Sequence, residues 1–211
     1  MPEPVLAAVL GFALVAGLVT ITPGLDTVLV VRTAIGQGWR DASATALGIL
    51  VGVFAWAAAA AVGLSALLAA SEVGFLALRV VGAGYLVWLG VGMLRQAFGA
   101  EREATAEPEV RAESWWANAR RGLLTNLLNP KVGAFYLALL PQFLPAGESP
   151  LLIGLLLGAV HAAESVVWFA VMIGSAHLAR AWFESRRTRR AIDGASGAAM
   201  IGFGVYLAAK G

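Results

Sequence analysis

The chain contains no cysteine and very little charge. The first absence excludes disulfide scaffolds, thiol redox carriers, iron–sulfur clusters and thiolate zinc sites. With two histidines and no His-rich tract, it also lacks the ligand set of a metal-ion carrier. Only 13% of the 211 residues are Asp, Glu, Lys or Arg, against 59% hydrophobic residues. That balance suits a chain solvated by lipid. The formal charge is +2, but the arginines fall in short segments between apolar runs. Such a distribution sets membrane orientation and does not make a nucleic-acid-binding stripe. No cofactor is expected. The opening Met1-Pro2-Glu3-Pro4 lacks the basic segment of a signal peptide, so the first apolar run is expected to stay in place as a membrane helix.

What the chain has in abundance is long apolar runs. Six spans are expected, at about 4–34, 42–70, 73–95, 121–144, 150–178 and 193–209. Each is close to or above the roughly 20 residues that cross a bilayer as a helix. The runs are continuously apolar and do not alternate, which argues against a β-barrel. The expected fold class is all-α integral membrane, with six transmembrane helices. Arg32 and Arg40 follow span 1; Arg95, Arg102, Arg111, Arg120 and Arg121 separate spans 3 and 4; Arg180, Arg186, Arg187, Arg189 and Arg190 separate spans 5 and 6. The opposite side has only Lys210. Loops 1, 3 and 5 are therefore expected in the cytoplasm, with both termini outside.

The third loop, residues 99–120, reads as a solvated linker between two similar halves, 1–98 and 121–211. Gly17-x-x-Thr20 before Pro23 resembles Gly122-x-x-Thr125 before Pro130. Gly48-x-x-x-Gly52 matches Gly154-x-x-x-Gly158, and Gly82-x-Gly84 resembles Gly202-x-Gly204. The common order of these matches points to two three-helix repeats. A three-span repeat inserts its second copy upside down, which is the inverted-repeat plan of secondary transporters.

Two stretches interrupt the apolar runs: Thr22-Pro23-Gly24-Leu25-Asp26 and Asn129-Pro130-Lys131. Pro23 lies nine residues before Arg32, and Pro130 nine after Arg121. At helical rise both breaks then sit about 14 Å from the basic markers, near the midplane of a ~30 Å core. Helices 1 and 4 are thus expected to be broken there. Thr or Asn followed by Pro reads as an N-cap and a first-turn proline, so each break would start a half-helix with free N–H groups aimed at the site. Asp26 lies in the first turn of one and Lys131 in the first turn of the other. Asp26 suits a substrate ammonium or a coupling proton. Lys131 opposes the helix dipole and calls for an anionic partner. Two structural readings stand beside these: Asp26 and Lys131 can pair and lock the halves together, and the two prolines can be packing kinks.

Three more polar residues fall at membrane depth. His161 and Glu164 lie three apart on one helix face, roughly 16 and 21 Å beyond Pro150 at helical rise. They are candidates for substrate contact, with Glu164 joining Asp26 as a proton carrier, or for a structural hydrogen bond between helices. Asn126 lies one turn before Asn129 and either lines the site or ties helices together.

Thr22-Pro23-Gly24-Leu25-Asp26, the central charged loop, Asn126-Leu-Leu-Asn129-Pro130-Lys131 and Pro141-Gln142-Phe143 together resemble the LysE/RhtB family of amino-acid exporters. Leu25 stands where the family pattern has a second proline. The resemblance implies six membrane helices and a non-enzymatic function: proton-driven export of amino acids or their derivatives across the inner membrane of a prokaryote. The partners are then a small amino acid, protons and membrane lipid, with homo-oligomerisation left open. Under that reading Thr22, Pro23, Gly24, Asp26, Asn126, Asn129, Pro130, Lys131, His161 and Glu164 bind substrate. Three rival readings fit the sequence less well. An intramembrane serine protease would use Ser196 of Gly194-Ala-Ser196-Gly197, but both His161 and His177 precede that serine. A metal-ion exporter lacks ligands. A passive channel stays open as an alternative, although paired midplane breaks suit alternating access better.

Overall fold

The computed structural model describes residues 3–22, 24–70, 72–98, 114–176 and 186–209. Pro23, most of the expected linker, His177 and Lys210 lie outside the described residues. Among the described residues every regular element is helical. They are α1 (Glu3–Ile21), α2 (Leu25–Gln37), α3 (Trp39–Ala70), α4 (Glu72–Phe98), α5 (Trp115–Leu127), α6 (Pro130–Leu139) with a 3₁₀ turn over Leu140–Phe143, α7 (Pro150–Gly174) and α8 (Arg186–Ala209).

Among the described residues, three helices are long and apolar enough to cross a membrane: α1, the Trp39–Gly63 part of α3, and α7. Taken as one bent span, α5 and α6 make a fourth, with a 52° change of direction at the break. The chain is a helical integral membrane protein. Its outer surface agrees with that. α1 leaves Leu6, Leu10, Leu14 and Leu18 exposed at helical spacing, and buries Val5, Phe12, Ala16 and Val19 on the other side. An apolar stripe of that length is a liability in water and neutral in lipid.

In lipid the hydrophobic effect does not drive helices together, so close backbone approach must. α3 and α5 show it. A Cβ added at Gly48 would strike the Ala119 carbonyl, and one added at Gly122 the Thr45 carbonyl. α7 packs on α3 in the same style, with Gly154 over Ala61 and Gly158 over Ala57. α4 and α8 meet at Gly90 and Gly197, whose added Cβ atoms would each reach the other's carbonyl.

Some boundaries differ from the sequence reading. α5 begins at Trp115, ahead of the expected 121, because the Ser114 hydroxyl accepts from Ala117 N and caps the helix there. Arg120 and Arg121 are therefore helical. α8 begins at Arg186 and so includes the arginine cluster assigned to a loop.

Candidate functional site

The two interruptions meet at the centre of the bundle. α1 stops at Ile21 and α2 starts at Leu25; α5 stops at Leu127 and α6 starts at Pro130. The second break is built as its sequence suggests. Asn129 is extended, its Oδ1 accepts from Lys131 N at 3.1 Å, and Pro130 occupies the first turn. The first break is not. Thr22 does not cap α2; its hydroxyl turns back and donates to Leu18 O at 2.6 Å, finishing α1. Gly24 is the N-cap of α2 and offers no side-chain cap. A threonine whose Oγ1 reaches the i−4 carbonyl is spent on the preceding helix.

Lys131 has carbonyl partners. Its Nζ donates to Val19 O at 3.1 Å and Thr22 O at 2.9 Å, the last turn of α1. A helix C-terminus presents unsatisfied carbonyls and a negative dipole end, so a cation from the opposite break is well placed there. These carbonyls are partners additional to the anion expected for Lys131. Asp26 is held from the other half: Asn126 Nδ2 donates to its Oδ2 at 2.7 Å. Asp26 Oδ1 is buried and has no hydrogen-bond partner among the described residues. Trp56 Nε1 donates to Asn126 O at 3.3 Å, fixing the end of α5. Each break thus has its terminal carbonyls held by a side chain from elsewhere in the bundle.

These groups surround a cavity of about 30 Å³. Gly24, Asp26, Asn126, Lys131 and His161 all line it. Thr22 and Asn129 are buried beside it, and Pro130 starts the helix that carries Lys131. Glu164 is not part of the lining: its carboxylate lies over Gly17 of α1, where an added Cβ would be 3.6 Å from Oε1. The expected pairing of His161 and Glu164 on one face is therefore split between the cavity and the α1 contact. His161 Nδ1 is instead 2.9 Å from Tyr136 OH, inside an aromatic group with Phe135. Phe12 in turn packs against Phe135 and Phe143, with ring centroids 5.4 and 5.6 Å away.

Several contributors were not anticipated. Thr20, Thr27 and Ser165 add hydroxyls to the wall, and Tyr136 backs His161. Ser165 lies four residues after His161, so its position on the same face was available from helical spacing. Thr27 was not, because its role depends on Trp168, whose Nε1 donates to Thr27 Oγ1 at 3.2 Å from another helix.

Residues 17–211 match the family of LysE type translocators. The chain belongs to that family. Among its relatives is a homoserine/homoserine lactone efflux protein of Salmonella typhi, 31% identical over 200 residues, covering 93% of this chain and 94% of that protein. A threonine efflux protein of Escherichia coli K12 is 32% identical over 193 residues, covering 89% and 90%. An uncharacterized membrane protein of Bacillus subtilis is 25% identical over 206 residues, covering 94% and 97%. No solved structure matches. As a LysE type translocator, the chain has a central polar cavity in an otherwise apolar bundle, the arrangement a carrier of small polar solutes requires.

Proposed function

We propose that the protein is a secondary active exporter of amino acids or amino-acid derivatives, driven by protons and working by alternating access around the two helix breaks. The observation that carries this is the Asp26 carboxylate, buried at the cavity with one oxygen held by Asn126 and the other unmatched. A buried carboxylate oxygen without a donor is costly, and an arriving ammonium or proton relieves it. Beside it the first turn of α2 has no side-chain cap, leaving its amides to meet a carboxylate. An amino acid presents both groups within a few ångströms. Asp26 takes the ammonium or the coupling proton. Gly24 and the neighbouring amides take the carboxylate, with Thr22, Asn129 and Pro130 shaping that end. Lys131 serves as electrostatic partner, and His161 contacts the side chain. Glu164, against α1, is a second candidate for the proton. Pro23 keeps its proposed place at the break.

On this reading α4 and α8 complete six spans in two inverted three-helix repeats, residues 1–98 and 121–211. The arginine-bearing end then faces the cytoplasm of a prokaryote and both termini lie outside. Membership of a translocator family with efflux proteins among its relatives supports export over enzymatic chemistry. The decisive experiment is an untargeted comparison of amino acids expelled by cells carrying wild type or Asp26→Asn. Export against a gradient that persists at full rate in a properly inserted Asp26→Asn variant sinks the assignment.

A further inference from the structure

α2 is a helix held between two glycine joints. Gly24 before it is extended, and Gly38 after it has φ 91°, a conformation that side chains disfavour. Between the joints lie 13 residues in one unbroken helix. Both ends of that rod are tied to the same neighbour. In its first turn Asp26 Oδ2 accepts from Asn126 Nδ2 at 2.7 Å. At its last residue Gln37 Oε1 accepts from Asn118 Nδ2 at 2.8 Å. Asn118, Gly122 and Asn126 form the buried stripe of α5, one residue per turn. α2 and α5 therefore run antiparallel and are bridged by an amide side chain at each end.

α5 is the fixed partner of the two. Its backbone is in contact with α3 at Gly48 and Gly122, so it cannot leave without parting those helices. On its other sides α2 is held by one hydrogen bond, from Trp168 Nε1 of α7 to Thr27 Oγ1 at 3.2 Å near its first turn, and by apolar contacts: Val30 with Ala46, Ile49 and Phe169, and Val31 with Met172. The apolar contacts are non-directional and tolerate sliding. The tie at the arginine-bearing end is also incompletely matched. Asn118 is fully buried, its Oδ1 has no partner among the described residues, and its second donor contact, to Asp41 Oδ1, is 3.4 Å long. A buried amide with one acceptor unsatisfied is held less firmly than a complete network. An amino acid does not fit in about 30 Å³, room for roughly a water or two, so the cavity must widen for loading.

We propose that α2 is the gate between the cavity and the arginine-bearing end, and that Asn118 is the positioning residue that latches it shut. The proposal rests on the transporter reading of the cavity and adds the moving part. A cation arriving at Asp26 competes with Asn126 for the carboxylate and loosens one tie. Asn118 and Gln37 then hold the far end of α2, the end toward the arginines. Asn118 touches no substrate; it acts through the position of α2.

Because the chain has no cysteine, a single introduced thiol reports access cleanly. Ser165→Cys places it in the cavity wall, and Arg40→Cys in a separate variant marks the arginine-bearing face. A membrane-impermeant thiol reagent is applied to inside-out and right-side-out vesicles without substrate. Adding Asn118→Ala should raise the labelling rate of Ser165→Cys about tenfold, the factor expected for losing one hydrogen bond from the closed state, and only from the face that labels Arg40→Cys. Gln37→Ala removes the same bond from the less buried partner, and should act in the same direction should Asn118→Ala not insert. An unchanged rate in the inserted variants overturns the latch. An equal rise from both faces also overturns it, since that reports a loosened bundle. Face-specific labelling in a protein that expels no amino acid supports the gate while removing the exporter reading, so the two fail separately.

Discussion

Asn126 on α5 donates to Asp26 on α2 at 2.7 Å across a hundred residues of sequence, so one hydrogen bond joins the two helix breaks. Asn126 is itself fixed by Trp56 and by its position on the buried stripe of α5. Asp26→Asn keeps the shape and removes the charge. Export should fall to the level of cells without the protein, while the amount of inserted protein stays close to wild type. Asn126→Ala leaves the carboxylate without its donor and should lower export by about tenfold, in line with the loss of a hydrogen bond to a charged group. Efflux of radiolabelled amino acid from preloaded vesicles measures both.

Lys131 closes the carbonyl end of α1. Lys131→Met keeps much of the side-chain bulk but strands Val19 O and Thr22 O, at a cost of about 2 kcal/mol. The variant should melt at lower temperature in detergent. Lys131→Arg should recover stability more than transport, because a planar guanidinium does not reproduce a point charge beside the cavity. A melting curve paired with an efflux rate separates the two effects; equal recovery of both would show Lys131 to be structural alone.

Gly122 and Gly48 set the α3–α5 contact. Gly122→Ala drives a methyl group into the Thr45 carbonyl, and should destabilise the bundle by about 2 kcal/mol or prevent its insertion. Gly63→Ala, where an added Cβ meets nothing, is the control and should be neutral or slightly stabilising. Fluorescence-detected size-exclusion after heating steps reads the difference.

Gly52→Ala tests the site without touching its polar groups. The added methyl would press on the Asn126 side chain, whose Oδ1 and Cβ lie within 3 Å of it. Asn126 must then shift off Asp26. Export should drop with only a modest loss of stability, and combining Gly52→Ala with Asn126→Ala, which removes Oδ1 and Cγ but keeps the Cβ at 2.9 Å, should relieve only part of the crowding and should not restore transport. Additive losses in the pair would show that the two residues act independently.

Tyr136 backs His161 through a 2.9 Å hydrogen bond between two buried rings. Tyr136→Phe removes the hydroxyl alone and should cost about 1 kcal/mol. The imidazole then loses the group that orients it at the cavity. Relative export rates of different amino acids should change more than the rate for any one of them, which a competition assay in vesicles detects.

The helical class, the membrane setting and the positions of both breaks were legible in the sequence, since each rests on local facts: run length, apolarity, and Pro or Gly within a run. The cap at Asn129 and Pro130 was legible for the same reason. The partners were not. Thr22 reads like Asn129 in sequence, yet its hydroxyl donates to Leu18 O in its own helix, a bond open to any threonine one turn beyond a carbonyl. Glu164 shares a helical face with His161 on paper, and is drawn instead to the space over Gly17.

By itself, then, the sequence determined that this is a lipid-solvated helical chain with two polar interruptions, because hydropathy and backbone preference are properties of short segments. Only the tertiary structure decided that Lys131 meets the carbonyls of α1, that Asp26 meets Asn126, and that α2 is tied to α5 at both ends. Those are relations between elements up to about a hundred residues apart. They exist only where glycine-mediated packing brings the backbones close enough for short polar side chains to reach across.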